Sequence, residues 1–323
     1  MSIAERFQGL GVAVATPFDR EGRVDFAAFG ELLGFLAGSG GAGTTQLAAA
    51  PARSQEEFKA NERGGTDFLV VLGSTGEAAT VDPDERRAIV EFAAAHAHGR
   101  PLVIGTGTNA TATTVRYTAD AVARGADAVL VVTPFYNKPT PDGLVAHYSA
   151  VAEAAAGKPV IVYNVPGRTG INLVPSTLAR LWKIPGIAAV KESSGNLGQI
   201  GEIARTMPEG KILLSGDDAL ALPALAVGAT GLISVAGNVL PRRTKAMLAA
   251  AVEGRREDSI RIHQSLLPFF DALFIESNPI PLKAAMGLTG LCQDQLRLPL
   301  VPAQSATRAA LAKALSAFFE VRA

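Results

Sequence analysis

The sequence predicts a parallel (β/α)8 TIM barrel with a C-terminal helical extension. Three observations carry that expectation. Eight strand-length apolar runs lie between residues 11 and 235, most of them closing on a Gly, a Pro or a polar turn. Stretches with helical spacing of apolar residues alternate with them, as parallel strands joined by helical crossovers require. After about residue 240 the strand-like runs stop and only helical stretches remain. The expected organisation is a barrel over 1–240, with an inserted segment at about 39–66, and a helical domain over 241–323. An open doubly wound sheet is the rival, but no intact Gly-x-Gly-x-x-Gly opens the first helix. Gly105-Thr-Gly107 is an isolated pair of the kind that serves a tight turn.

The elements follow in order. Gly11-Val-Ala-Val-Ala-Thr16 reads as a strand ending at Pro17. Asp25 caps a helix whose Phe26, Phe29, Leu32, Leu33 and Leu36 share one face. Residues 39–66 break the rhythm, with one short helix signalled by Ser54 and Glu57 in capping-box spacing. Such a helix-to-strand connection belongs on the barrel face opposite the strand C-termini, so the segment is expected to be an irregular surface excursion. Strands then end at Leu72, Gly105, Val132, Tyr163, Lys191, Ser215 and Val235. The helices between them span about 84–97, 111–123, 141–156, 175–182, 196–206 and 219–227. The extension reads as helices near 240–253, 256–273, 279–287 and 303–320.

Composition narrows the function. Thirty basic and thirty acidic residues leave no formal net charge, which argues against a nucleic-acid or polyanion partner. The single cysteine, Cys292, excludes an internal disulfide and a cysteine-based metal cluster. No apolar run reaches membrane-spanning length and the N-terminus lacks a long apolar core, so a cytoplasmic protein is expected. His96, His98, His147 and His263 fall on helices without a metal-ligand spacing. Asp217-Asp218 reads as a cap for the helix that follows. No metal or organic cofactor is expected.

The chemistry centres on Ile187-Ala-Ala-Val-Lys191, a buried strand that ends in a lysine. Loss of hydration disfavours an ammonium, and a neutral amine is a nucleophile for a ketone or aldehyde carbonyl. The preceding strand ends in Tyr163, with Arg168 shortly after it. In a barrel the strand C-termini meet on one face. That face would gather Thr16, Ser74, Thr75, Glu77, Thr106, Asn109, Thr133, Tyr136, Tyr163, Arg168, Lys191, Glu192, Ser215, Asp217, Asp218 and Ser234. Lys158 and Lys211 start their strands, so they belong on the opposite face as solvated groups.

Gly73-Ser-Thr-Gly-Glu77, Tyr163-Asn-Val-Pro-Gly-Arg-Thr-Gly170 and Lys191-Glu-Ser-Ser-Gly-Asn196 resemble the three signatures of the dihydrodipicolinate synthase/N-acetylneuraminate lyase family. Thr133-Pro-Phe-Tyr-Asn137, Ser215-Gly-Asp-Asp218 and Asn278-Pro-Ile-Pro-Leu-Lys283 resemble further family segments. The resemblance spans nearly the whole chain except about 39–66. It implies a class I aldol-type condensation in which Lys191 forms a Schiff base with pyruvate and Tyr163 moves protons. Ser74 and Tyr136 would complete a proton relay, Tyr136 from a neighbouring subunit, so a dimer or a dimer of dimers is implied. Thr75, Gly76 and Ile233 would bind pyruvate. Arg168 would hold the carboxylate of aspartate semialdehyde, which favours the lysine-biosynthetic synthases over the sialic-acid lyases and keto-deoxy-sugar aldolases. Ser74, where the synthases usually carry threonine, leans towards the lyases. A non-catalytic barrel is the remaining alternative. Members inhibited by L-lysine carry polar or acidic groups at the positions matching Ala78, Pro83, Thr113 and Phe135, so the resemblance implies that L-lysine does not inhibit.

Overall fold

The computed structural model describes residues 6–39, 47–48 and 50–320. Eight parallel strands close into a barrel in sequence order, β1 pairing with both β2 and β8. The strands are β1 (Gly9–Ala13), β2 (Phe68–Val71), β3 (Leu102–Gly105), β4 (Ala128–Val132), β5 (Val160–Asn164), β6 (Ile187–Glu192), β7 (Ile212–Ser215) and β8 (Gly231–Ser234). Around them lie α1 (Phe26–Ala37), α2 (Gln55–Glu62), α3 (Pro83–Ala95), α4 (Thr111–Ala123), α5 (Pro141–Ala154), α6 (Pro166–Thr169), α7 (Pro175–Leu181), α8 (Leu197–Thr206) and α9 (Ala221–Ala226). Four more helices follow the barrel: α10 (Pro241–Val252), α11 (Arg256–Ala272), α12 (Ile280–Leu288) and α13 (Ser305–Leu315). Among the described residues, no helix is long and apolar enough to cross a membrane.

Period-two alternation divides the strand side chains between two cores. Val70, Val103, Leu130, Ile161, Ala189, Leu214 and Ile233 fill the barrel interior. Leu69, Ile104, Val131, Val162, Val190 and Leu213 face the helices. One irregularity decides which residue reaches the site. Val160 pairs with Ile187 but Ile161 pairs with Ala189, so Ala188 is an extra residue in β6. From there on Tyr163 lies opposite Lys191 and shares its inward face. Without that bulge Val190 would sit beside Tyr163 and the lysine would move out of register, which is the re-aiming that bulges perform.

Local signals explain most element ends. Asp25 accepts the Ala28 N–H at the start of α1, and Gly38 closes it in the left-handed region at φ 81°. Asp82 and Glu85 form a reciprocal capping box at α3. At α2, Ser54 accepts the Glu57 N–H, but the Glu57 carboxylate bonds the Arg53 N–H rather than that of Ser54.

The segment at 39–66 corrects the expectation. Residues 40–46 and 49 lie outside the described part, but the rest is more than a surface excursion. Ala52 and Phe58 are fully buried, and Phe58 meets Phe319 at 5.4 Å between ring centroids. Buried Glu62 pairs with Arg243 of α10 at 2.7 Å, and Ala52 exchanges backbone bonds with Phe318 and Glu320. Loss of hydration pushes the Glu62 carboxyl up to about 7 against the pull of Arg243. An apolar side chain at 58 and a buried acid at 62 need partners, and α10 and the residues after α13 supply them.

Gly105 and Gly107 also serve a different purpose from a turn. A Cβ on Gly105 would lie 2.0 Å from the Leu72 carbonyl oxygen, and one on Gly107 would lie 2.5 Å from the Val132 nitrogen. Both are places where backbone crosses backbone at close range.

Candidate active site

At the C-terminal ends of the strands a cavity of about 640 Å³ is lined by Ser74, Tyr163, Arg168 and Asn278, and extends past Thr113 and Phe135 to Arg86 and Tyr117. Lys191 neighbours the Tyr163 that lines it. It is only 5% exposed, and its Nζ lies 4.2 Å from the centroid of the Tyr163 ring. Among the described residues no carboxylate pairs with it. The amine therefore lies over a phenol ring, with no carboxylate beside it among the described residues. The small residue at 216 makes room for it. A Cβ there would sit 1.9 Å from Ser193 Oγ and 2.7 Å from Lys191 Cε. Ser193 Oγ is itself buried without a hydrogen-bond partner among the described residues.

Arg168 lies on α6, a four-residue helix that sequence periodicity did not indicate. Its signal was Pro166 at the first helical position and Gly170 just past the end, where Gly170 takes φ 75° and bonds back to Pro166. One Arg168 nitrogen donates to the Asn278 carbonyl at 2.9 Å, which leaves the other guanidinium N–H groups for a ligand. Asn278 also donates from Nδ2 to Thr75 Oγ1 at 3.0 Å.

The loop after β2 is held in an unusual backbone. Leu72 and Glu77 take φ 59° and 51°, in the left-handed region that side chains rarely adopt. Leu72 therefore ends the strand one residue before the expected limit. Glu77 is anchored by Lys283, a fully buried lysine on α12, through an ion pair of 2.5 Å. Lys283 also donates to the Gln295 carbonyl at 2.8 Å and lies 4.0 Å from the Phe18 ring centroid. Burial lowers its affinity for a proton, and Glu77 opposes that shift. Arg297 grips the same region. It bonds Glu85 with both terminal nitrogens, at 2.6 and 2.5 Å, and donates to the Gly22 and Thr80 carbonyls. The C-terminal segment thus supplies Asn278, Lys283 and Arg297 to the catalytic end, and sequence reasoning had assigned none of them a role.

Several predicted neighbours turn away. Glu192, one residue beyond Lys191, points outward and accepts bonds from Asn164, Gln199 and the Ser194 N–H. Thr106 bonds Thr118 on α4. Asp217 does accept the Leu220 N–H near the start of α9. Asp218 does not cap that helix. Its carboxylate faces the end of β8, where the Ser234 hydroxyl and the Val235 and Ala236 N–H groups donate to it. Complete burial raises the Asp218 carboxyl to about 6, despite those donors. Gly76 spends its N–H on the Gly73 carbonyl, and Ile233 is buried in the barrel core. Lys211 precedes its strand as expected, yet it is not simply solvated: it donates to the Ile187 carbonyl at 2.6 Å, and burial disfavours its charged form. Tyr136 is 89% exposed, with φ 72°.

Comparison with known proteins agrees with this geometry. Residues 46–318 match the model of the dihydrodipicolinate synthetase family. A 4-hydroxy-tetrahydrodipicolinate synthase of Kosmotoga olearia is 44% identical, over 96% of this chain and 97% of that one. The crystal structure of dihydrodipicolinate synthase from Aquifex aeolicus superposes with a TM-score of 0.84 at 40% identity, covering 96% of this chain and 97% of that one. A dihydrodipicolinate synthase from Cyanidioschyzon merolae with lysine bound gives a TM-score of 0.87 at 34% identity, covering 97% and 98% of the two chains. The closed barrel, the inward lysine beside Tyr163 and these likenesses together place the chain in the dihydrodipicolinate synthetase family.

Proposed function

We propose that this chain condenses pyruvate with L-aspartate semialdehyde, the reaction of a 4-hydroxy-tetrahydrodipicolinate synthase, as a lyase of the diaminopimelate and lysine pathway. The observation that carries the reading is the pairing of Tyr163 with Lys191 on adjacent strands, the lysine buried and without a carboxylate partner among the described residues. The Lys191 amine attacks the pyruvate ketone carbon to give a carbinolamine, which loses water to form an iminium ion. Loss of a methyl proton gives an enamine, and its carbon forms the new bond to the aldehyde carbon. Tyr163 carries protons on and off, with the Ser74 and Tyr136 hydroxyls relaying them. The Thr75 hydroxyl takes the pyruvate carboxylate, while Gly76, its N–H spent on Gly73, and Ile233 of the barrel core bound that subsite by shape. Arg168 takes the carboxylate of the aldehyde, for which a guanidinium fork is well shaped. Tyr136 projects into solvent from a left-handed residue, so it serves the site of a second copy, and the working form is a dimer or a dimer of dimers. The setting is the cytoplasm.

Ser74 favours a second reading, cleavage of a sialic acid or a keto-deoxy sugar acid through the same imine. Steady-state kinetics separate the two. Turnover of pyruvate with aspartate semialdehyde, without cleavage of N-acetylneuraminate or 2-keto-3-deoxygluconate, supports the synthase. The reverse pattern would replace it.

A further inference from the structure

Asn278 offers one amide to the site, and the direction of its hydrogen bond matters. The residue is only 6% exposed, and its Nδ2 donates to Thr75 Oγ1 at 3.0 Å. A threonine hydroxyl has one proton to give and lone pairs to receive. Because Asn278 fills the receiving role, the Thr75 proton is left to be given away. Among the described residues no acceptor takes it. The other end of the amide, Oδ1, is buried and has no hydrogen-bond partner among the described residues. An asparagine kept only for packing would gain by satisfying both ends. Here one end is spent on Thr75 and the other is bare.

We propose that Asn278 is a positioning residue that sets the hydrogen-bond polarity of Thr75, so that the hydroxyl is a donor towards the carboxylate of bound pyruvate. The inference rests on the reading that Thr75 receives that carboxylate. The same residue ties the pyruvate side to the aldehyde side, since its backbone carbonyl accepts from Arg168 at 2.9 Å. That second bond uses main chain only. Side-chain substitutions at 278 therefore leave the Arg168 anchor in place and act on Thr75.

Polarity yields an ordering that packing does not. Asn278→Ala removes the donor and leaves Thr75 free to turn. Asn278→Asp is the closer match in shape, yet its carboxylate can only accept, so it captures the Thr75 proton and takes it from the substrate. A purely structural asparagine would tolerate Asp better than Ala.

The test is the rate of borohydride trapping of pyruvate on the full-length protein at subsaturating pyruvate. We compare the unmodified protein with Asn278→Ala, Asn278→Asp, Thr75→Val and the Thr75→Val/Asn278→Asp double variant. A charge-assisted hydrogen bond corresponds to about 10- to 100-fold. Asn278→Ala should therefore trap about tenfold more slowly and Asn278→Asp about a hundredfold. In the Thr75→Val background, adding Asn278→Asp should cost less than about threefold, the non-additivity of residues acting as a unit. The KM for aspartate semialdehyde should stay within about twofold in Asn278→Ala, which separates positioning from general collapse of the site. An Asp variant as fast as the Ala variant overturns the inference, as does a full hundredfold loss retained without the Thr75 hydroxyl, which would mark simple charge repulsion. Absence of trapping in the unmodified protein would instead remove the reading beneath it.

Discussion

Gly216→Ala probes the room around the reacting amine. A Cβ at 216 would lie 2.7 Å from Lys191 Cε, 3.1 Å from Lys191 Cγ and 1.9 Å from Ser193 Oγ. Carbon atoms meet comfortably at about 3.5–4.0 Å. The methyl must therefore displace the lysine stem by roughly 1 Å, or push the backbone of β7 away from β6. The Ser193 hydroxyl can rotate aside, but a shift of the lysine stem carries with it the amine that lies 4.2 Å from the Tyr163 ring centroid. A misplacement of about 1 Å costs on the order of 100-fold in rate when the reaction depends on a near-attack geometry. Overpacking a core of this kind destabilises by about 1–3 kcal/mol, which a folded enzyme of this size survives. The assay is kcat/KM for pyruvate at saturating aldehyde, alongside thermal unfolding. The expected result is a loss of about two orders of magnitude with a modest fall in Tm. Native kcat/KM in a folded Gly216→Ala protein would show that the lysine has slack there and that the crowding has no catalytic meaning.

Other consequences follow from groups away from the amine. L-lysine at millimolar concentration should leave the rate unchanged. The cavity beside Thr113, Phe135 and Tyr117 holds the buried Arg86 cation, while Glu77, an acid on its lining, is committed to Lys283. A cationic ligand would have no countercharge, so submillimolar inhibition would refute this. Lys283→Met should lower stability by about 3–5 kcal/mol in urea unfolding, because it strands the Glu77 carboxylate in the interior, and a further Glu77→Gln should restore part of that loss. Loss of less than about 1 kcal/mol would mean that water reaches the acid. His147 bonds Thr111 at 3.0 Å, and burial holds its imidazole down to about 4. Its folded-state proton affinity is below the ordinary value of 6.5, so its contribution to stability is full above pH 6.5 and is lost as pH falls towards 4. His147→Gln should flatten the fall of Tm between those values, and an unchanged pH profile would refute the assignment.

Strand period and helix spacing were enough to read the barrel, because each strand buries both faces and each crossover helix buries one. Lys191 was legible for the same reason: a lysine that closes an apolar run has nowhere to go but the strand end. Its inward direction was not legible. It depends on the extra residue at Ala188, and a bulge leaves no mark in an apolar run. Gly216 was visible only as a small residue in a familiar segment, since its purpose lies in contact with a side chain 25 positions earlier in the chain. Asn278, Lys283 and Arg297 escaped because their partners, Thr75, Glu77 and Glu85, lie more than 200 residues away, and no local pattern reports such pairings. The segment at 39–66 shows its short helix at Ser54 in the sequence, but not its docking, for a related cause. The burial of Phe58 and Glu62 is set by α10 and Phe319, which are packed against them from the far end of the chain.

The central claim is that the Lys191 amine bonds covalently to pyruvate. The direct measurement is borohydride reduction of the protein with pyruvate, followed by proteolysis and peptide mass mapping. The account predicts one pyruvyl adduct per chain, on the peptide that carries Lys191, and none in Lys191→Ala. An adduct on another lysine, or full turnover by a folded Lys191→Ala protein, would contradict it.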